Sequence, residues 1–150
     1  MLKKIFLFVG AVLLAVPVVA DQPNAELQAL DDALPGTLIN DPTRLDWAMY
    51  GTGQSHKTVK GEDIPGGKAA IQFTVAKAGS KLYDSGANAP ITTGIKSGTD
   101  VVVGFYARTV SASTSDGKGR IGVRFSQNIS PYNGFGDTTF VIEKEWKLYQ

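Results

Sequence analysis

Large apolar residues alternate with small or polar ones in three stretches of the chain, Ala69–Ala76, Val101–Val110 and Arg120–Ser126. A period of two is typical of a strand with one buried face, because successive side chains of a strand point to opposite faces. Glycine-rich turns separate these and shorter apolar segments at spacings typical of a β-sandwich. The sequence therefore predicts an all-β domain. Its predicted strands are Leu45–Tyr50, His56–Val59, Lys68–Val75, Ser80–Asp84, Ala89–Ile95, Asp100–Val110, Gly119–Gln127, Thr138–Glu143 and Trp146–Gln150.

The same alternation predicts which side chains share a face of the sheet. The predicted inward set is Ile71, Phe73, Val75, Val101, Val103, Phe105, Ala107, Ile121, Val123 and Phe125. The opposite face then carries Gln72, Tyr106, Arg108 and Arg124, with small residues between them. Such a face forms either a shallow groove with hydrogen-bonding groups in its floor or an ordinary solvated surface.

The first twenty residues have the pattern of a secretory signal peptide. Lys3 and Lys4 precede the apolar run Ile5–Val16, and small residues lead up to Ala20, just before Asp21. The apolar run is shorter than the roughly 20 residues that span a bilayer. We therefore predict a signal peptide over residues 1–20, a secreted or periplasmic location, and no membrane association once the signal is removed.

A leader or linker is predicted for residues 21–37, with one short helical turn within Asp21–Asp32, and the β-sandwich module for residues 38–150. The roughly 130 residues after the signal suffice for one domain and are too few for two. The chain has no cysteine, so burial and sheet hydrogen bonds must hold the fold. Without Lys3 and Lys4, 13 basic residues face 14 acidic ones, and no basic face for a nucleic-acid partner is visible.

The chain lacks a recognisable set of catalytic residues. His56 is the only histidine, and no nucleophile-elbow sequence accompanies it. The acidic pairs Glu62/Asp63 and Glu143/Glu145 lie beside turns or strand ends, where solvated charges are usual. A zinc site is implausible with no cysteine and one histidine, whereas calcium needs only oxygen ligands. We therefore predict a binding protein rather than an enzyme, with no catalytic residues and no required cofactor.

Four segments together resemble carbohydrate-binding module family 4/9, which is often attached to secreted xylanases and related glycoside hydrolases. They are Leu82–Ile91, Ile95–Thr99, Val103–Arg108 and Glu145–Tyr149. The resemblance covers about residues 38–150, nearly the whole chain after the signal. Tyr83 and Asp84 stand where the family usually has Trp-Asp, which keeps a stacking surface but reduces its area.

The resemblance implies a jelly-roll sandwich that binds xylan or another β-linked plant polysaccharide in a cleft on its concave sheet. It implies a covalently attached catalytic domain, and related modules frequently carry one structural calcium ion, for which no ligands are assigned here. Modules of the family continue beyond the Trp-Lys strand. The expectation is therefore either a fragment of a longer secreted enzyme or a free-standing module with a truncated last strand, ending at Gln150.

A sugar ring presents an apolar face of C–H bonds and a rim of hydroxyls, so its binder needs flat aromatic rings and polar side chains. The candidate stacking residues are Trp47, Tyr83, Tyr132 and Tyr106, and the candidate rim residues are Gln72, Arg124, Arg108, Asp84 and Gln127. Either Trp47 or Tyr50 could be core while the other is exposed. Trp146 is predicted to pack inside.

Three structural alternatives stay open for these candidates. Tyr132 could plug the end of the sandwich, and the arginines could form only a solvated charge ladder. The whole chain could also be an interaction or adhesion module that binds protein rather than sugar.

Overall fold

The computed structural model describes residues 3–5, 31–32, 36–40, 42, 44–66, 68–77, 79–81, 83–91 and 93–150. Within these ranges the chain forms eleven β-strands, and Asp31–Asp32 are helical. The protein is all-β, as the sequence predicted. The strands are β1 (Lys3–Ile5), β2 (Thr37–Leu38), β3 (Ala48–Gly51), β4 (Gln54–Lys60), β5 (Ala69–Val75), β6 (Ser85–Asn88), β7 (Val101–Val103), β8 (Phe105–Ala107), β9 (Gly119–Ser126), β10 (Gly134–Ile142) and β11 (Lys147–Tyr149).

Two of the predicted strands are wrong and one is divided. The predicted strands Ser80–Asp84 and Ala89–Ile95 are wrong, and a single strand, β6, lies between them. The Asp84 carboxylate accepts hydrogen bonds from the Ser80 hydroxyl (3.2 Å) and the Lys81 amide (2.9 Å), and this closes a turn where a strand was expected. The predicted Asp100–Val110 strand is interrupted at Gly104, which separates β7 from β8.

The strands pair into small sheets. Antiparallel pairs join β3 to β6, β4 to β5 and β9 to β10, and a further two-stranded sheet joins β8 to β11. The one three-stranded sheet among the described residues has the order β2-β1-β7, with both pairings parallel. Its central strand falls within the predicted signal peptide. Residues 6–20 of that peptide and most of the predicted leader lie outside the described residues.

The chain divides into two compact units. The N-terminal unit comprises residues 1–105 together with Gln150, and the C-terminal unit comprises residues 106–149. The buried apolar side chains of the described residues are Ile39 and Ile64 in the first unit and Ile142 and Tyr149 in the second. In the part of the chain that the structure describes, no helix has the length and apolar character needed to cross a membrane.

Exposure departs from the predicted faces at two apolar positions. Val75 is 45% exposed and Ile121 is 39% exposed, although both were predicted to point inward. Val75 is the last residue of β5, beside a turn, and Ile121 lies in the two-stranded β9–β10 sheet. Strand parity sets which residues share a face, but a neighbouring layer has to cover that face before they are buried.

Asp116 organises the connection between β8 and β9. Its carboxylate accepts hydrogen bonds from the Arg120 guanidinium (2.9 Å) and the Lys118 amide (3.0 Å). The Arg120 hydrogen bond is the largest cause that lowers the pKa of Asp116 below its ordinary value of 3.8, and the Lys118 amide adds to it. The interaction therefore stabilises the folded protein above that value and is lost as the pH falls through the lower folded pKa.

We predict that the Asp116 carboxyl titrates with a midpoint below 3.8 when it is followed by NMR. Arg120→Gln removes the dominant hydrogen bond and should move the midpoint up towards the ordinary value. Arg124→Gln, on the same strand, is the matched control and should leave Asp116 unchanged. A wild-type midpoint at or above 3.8 contradicts the assigned contacts.

Candidate functional site

The closed end of the β9–β10 hairpin presents aromatic rings to solvent. Phe125 lies directly opposite Phe135 in the register, and their rings stack with centroids 5.3 Å apart and planes 16° apart. Phe135 is 53% exposed, and Tyr132, in the connection between the strands, is 60% exposed. We refer to these three rings, together with Arg124 and Asp137, as the hairpin site.

Backbone hydrogen bonds hold the connection in place. The Gln127 amide donates to the Asn133 carbonyl (2.8 Å), and the Tyr132 amide donates to the Ile129 carbonyl (2.7 Å). Tyr132 has a φ of 57°, in the left-handed region that aromatic residues rarely adopt. The local fold thus keeps a large ring on an exposed and strained backbone position, an arrangement that is concentrated at functional sites.

Gly134 permits the close approach of the two strands at this end. A Cβ atom at this position would lie 2.1 Å from the Phe125 carbonyl oxygen and 2.7 Å from Arg124 Nε. Both distances are far below van der Waals contact, so no larger residue fits without a backbone shift. This glycine therefore lets the Arg124 side chain lie across β10, on the face opposite to the Phe125 and Phe135 rings.

Arg124 and Asp137 supply the polar part of the hairpin site. Arg124 Nε lies 3.8 Å from Asp137 Oδ1, and the side chains are 47% and 72% exposed. The register shifts between Phe135 and Thr138, so Asp137 lies in a β-bulge. A loose, exposed pair of this kind contributes little to stability. Its donors and acceptors stay accessible to a ligand.

The other predicted residues of the C-terminal unit lie elsewhere. Tyr106 is half-buried in β8. Arg108 is exposed, and its guanidinium carbon lies 5.1 Å from the centroid of the Trp146 ring. Trp146 is half-buried, and its shielded Nε1 has no hydrogen-bond partner among the described residues. Arg108 therefore covers an indole ring rather than extending a charge ladder.

In the N-terminal unit, Trp47 and Tyr50 are both partly accessible, so neither is fully core. Trp47 is half-buried and donates from Nε1 to the Arg44 carbonyl at 3.1 Å. Tyr50 is 39% exposed, and its ring lies over Gly86, where a Cβ atom would be 2.5 Å from the phenolic oxygen. The Trp47 indole N–H is therefore used in a local hydrogen bond that stabilises residues 44–47.

Tyr83 is the most accessible of the predicted stacking residues, at 63% exposure. The Lys81 ammonium lies 5.4 Å from its ring centroid. Asp84 is half-buried, and the Lys81 amide hydrogen bond is the largest cause that lowers the pKa of its carboxyl. Both hydrogen bonds, from the Ser80 hydroxyl and the Lys81 amide, go to Oδ2, so this oxygen closes the turn that carries Tyr83. Gln72 is half-buried on β5, in the β4–β5 sheet, whereas Tyr83 and Asp84 lie in a turn.

Three residues of the hairpin site, Phe125, Phe135 and Asp137, were not among the predicted site residues. Phe135 and Asp137 lie in a glycine-rich segment between two predicted strands, and Phe125 is predicted to point inward. The bulge breaks the period of two in β10, so alternation does not extend into this end of the strand. Pairing Phe125 with Phe135 requires β10 to begin at Gly134, before the predicted Thr138–Glu143, and the sequence pattern does not indicate this earlier start.

Among the described residues, no group of three or more histidine, aspartate or glutamate side chains is placed to hold a metal ion. Comparison with known proteins finds no matching family model, no matching curated protein and no matching solved structure.

Proposed function

We propose that this protein is a non-catalytic glycan-binding module with a jelly-roll β-sandwich fold. Its ligand is xylan or another β-linked plant polysaccharide, and it acts outside the cytoplasm as the accessory module of a secreted glycoside hydrolase. The observation that carries the proposal is the pair of exposed rings, Tyr132 and Phe135, at the end of the hairpin that also carries the accessible polar groups of Arg124 and Asp137.

The two rings match the apolar faces of a sugar. Tyr132 and Phe135 keep more than half of their surface in water, at 60% and 53% exposure. Holding aromatic surface in water forgoes the stabilisation that burial gives, about 25 cal/mol per Å². The stacked Phe125 ring supports Phe135 from below, which fixes its orientation. A flat and immobilised apolar surface suits the C–H face of a pyranose ring.

The polar groups match the hydroxyl rim. The Arg124 guanidinium can donate a hydrogen bond and the Asp137 carboxylate can accept one, so the hairpin site offers both kinds of partner to a sugar hydroxyl. Gln127 and Asn133 are also exposed, and their backbone atoms close the connection while their side chains remain accessible. Each exposed stack or hydrogen bond contributes about 1 kcal/mol against water, so we expect affinities on the order of micromolar to millimolar.

Affinity electrophoresis of the purified chain tests the proposal. Native gels containing xylan, mixed-linkage glucan or a control α-glucan are run beside a non-binding marker protein. We expect at least one β-linked polysaccharide to retard the chain, with no release of reducing ends from soluble xylan. Sustained release of reducing ends would show an enzyme. Migration unchanged by every polysaccharide, together with saturable binding to a purified protein partner, would establish the protein-binding alternative.

A further inference from the structure

The β4–β5 pair of the N-terminal unit has one polar face that the hairpin site does not use. In the antiparallel register, Lys57 lies opposite Gln72 and Ser55 lies opposite Thr74. Directly opposed residues of two strands project from the same face, with Cβ atoms about 5 Å apart. These four residues are called the polar face of the β4–β5 pair below.

The charges in these strands have one sign. Lys57 and Lys60 are the ionic residues of β4, and β5 contains no charged residue. Lys57, Ser55 and Thr74 are exposed, and Gln72 is half-buried. Within the described residues, no hydrogen bond or ion pair engages the Lys57 ammonium, whereas Lys68 pairs with Glu62 and Lys118 pairs with Glu143 at 2.7 Å.

An unpaired ammonium opposite an amide, with two hydroxyls next to them, is a combination that suits an acidic sugar. The ammonium binds a carboxylate as a point charge. The Gln72 amide can donate to one ring hydroxyl and accept from another, and the Ser55 and Thr74 hydroxyls can do the same. Ala70, two residues before Gln72, and Val59, directly opposite Ala70, lie on the same face and could contact the apolar face of the ring.

We propose that the polar face of the β4–β5 pair binds a carboxylate-bearing sugar, a uronic acid, of an acidic polysaccharide. Lys57 binds the carboxylate, and Gln72 orients the ring through its hydroxyls. The inference rests on the proposed function and narrows its ligand to glycans that carry uronic acid substituents. An exposed ion pair of this kind strengthens binding by about two- to fivefold, and salt screens it.

The test compares glucuronic acid-substituted xylan with the same polysaccharide after chemical reduction of its carboxyl groups. The wild-type full chain, Lys57→Gln and Lys60→Gln are titrated against both polymers at low salt. Lys60 is the matched control because it lies on the same strand, is also exposed and projects from the opposite face. We expect the wild type and Lys60→Gln to bind the acidic polymer about two- to fivefold more tightly than the reduced one.

In Lys57→Gln this preference should disappear while binding to the reduced polymer is unchanged. In about 0.5 M NaCl, where the screening length is about 4 Å, the wild type should lose the preference as well. Equal binding of both polymers by the wild type, or a preference that survives in Lys57→Gln, overturns this inference alone. Binding to neither polymer, nor to any other β-linked glycan, overturns the proposed function itself.

Discussion

Replacing Tyr132 and Phe135 together by alanine is expected to weaken binding to the polysaccharide that retards the wild-type chain by roughly 30-fold. Each exposed stack on a sugar ring contributes about 1 kcal/mol, so losing two of them weakens binding by about 2 kcal/mol, or roughly 30-fold. From a starting affinity of about 1 mM, such a loss removes detectable retardation, and from about 1 μM it requires about 30-fold more polysaccharide for the same retardation. The measurement is migration in native gels over a series of polysaccharide concentrations.

Ile129→Ala is the control for this pair. Ile129 lies in the same connection and is 70% exposed, but its side chain offers no flat ring. The control should bind like the wild type if the rings act by stacking. The thermal midpoint should be unchanged in Tyr132→Ala, whereas Phe135→Ala also loses a ring stack with Phe125. Full retention of the folded double variant would remove the hairpin site from glycan binding, and an equal loss in Ile129→Ala would indicate general hydrophobic contact.

The largest expected effect on stability comes from Thr109→Val in the C-terminal unit. Thr109 is 8% exposed; its hydroxyl donates to the Ile142 carbonyl at 2.6 Å and accepts from the Gly119 amide at 2.8 Å. Valine keeps the shape but leaves both backbone groups without this partner. Each buried polar group that loses its partner costs about 1–3 kcal/mol, so we expect the free energy of unfolding to fall by about 3 kcal/mol.

Urea unfolding measures this loss, and Thr139→Val is the matched control. Thr139 is exposed on β10, where substitutions usually change stability by less than about 0.5 kcal/mol. Both variants are unfolded in urea under the same conditions as the wild type, and their free energies of unfolding are compared. A loss below about 1 kcal/mol in Thr109→Val would mean that the hydroxyl is not the link between β9 and β10 that its contacts indicate.

The all-β class could be predicted from the sequence because a period of two is a local property of the strand. The positions of β5 and β9 follow directly from it. The local pattern did not predict the turn that the Asp84 side chain closes. This turn lies where the strand Ser80–Asp84 was predicted. Alternation also cannot tell which face another layer covers, and Val75 and Ile121 are exposed for that reason.

The candidate site was predictable only in part. Arg124 and Tyr132 were identified from strand parity and from the glycine-rich loop, and both belong to the hairpin site. Phe135 and Asp137 escaped because the β-bulge shifts the register between Phe135 and Thr138. The clustering of these residues depends on how two strands pair across the hairpin, which is information that a single strand does not contain.

The central strand of the parallel sheet β2-β1-β7 belongs to the predicted signal peptide. This strand, Lys3–Ile5, pairs with Thr37–Leu38 on one side and with Val101–Val103 on the other. Cleavage after Ala20, which the sequence predicts, would remove the central strand of this sheet from the chain. The precursor and the cleaved chain would then differ in sheet topology as well as in length, because β2 and β7 would each lose their pairing with β1.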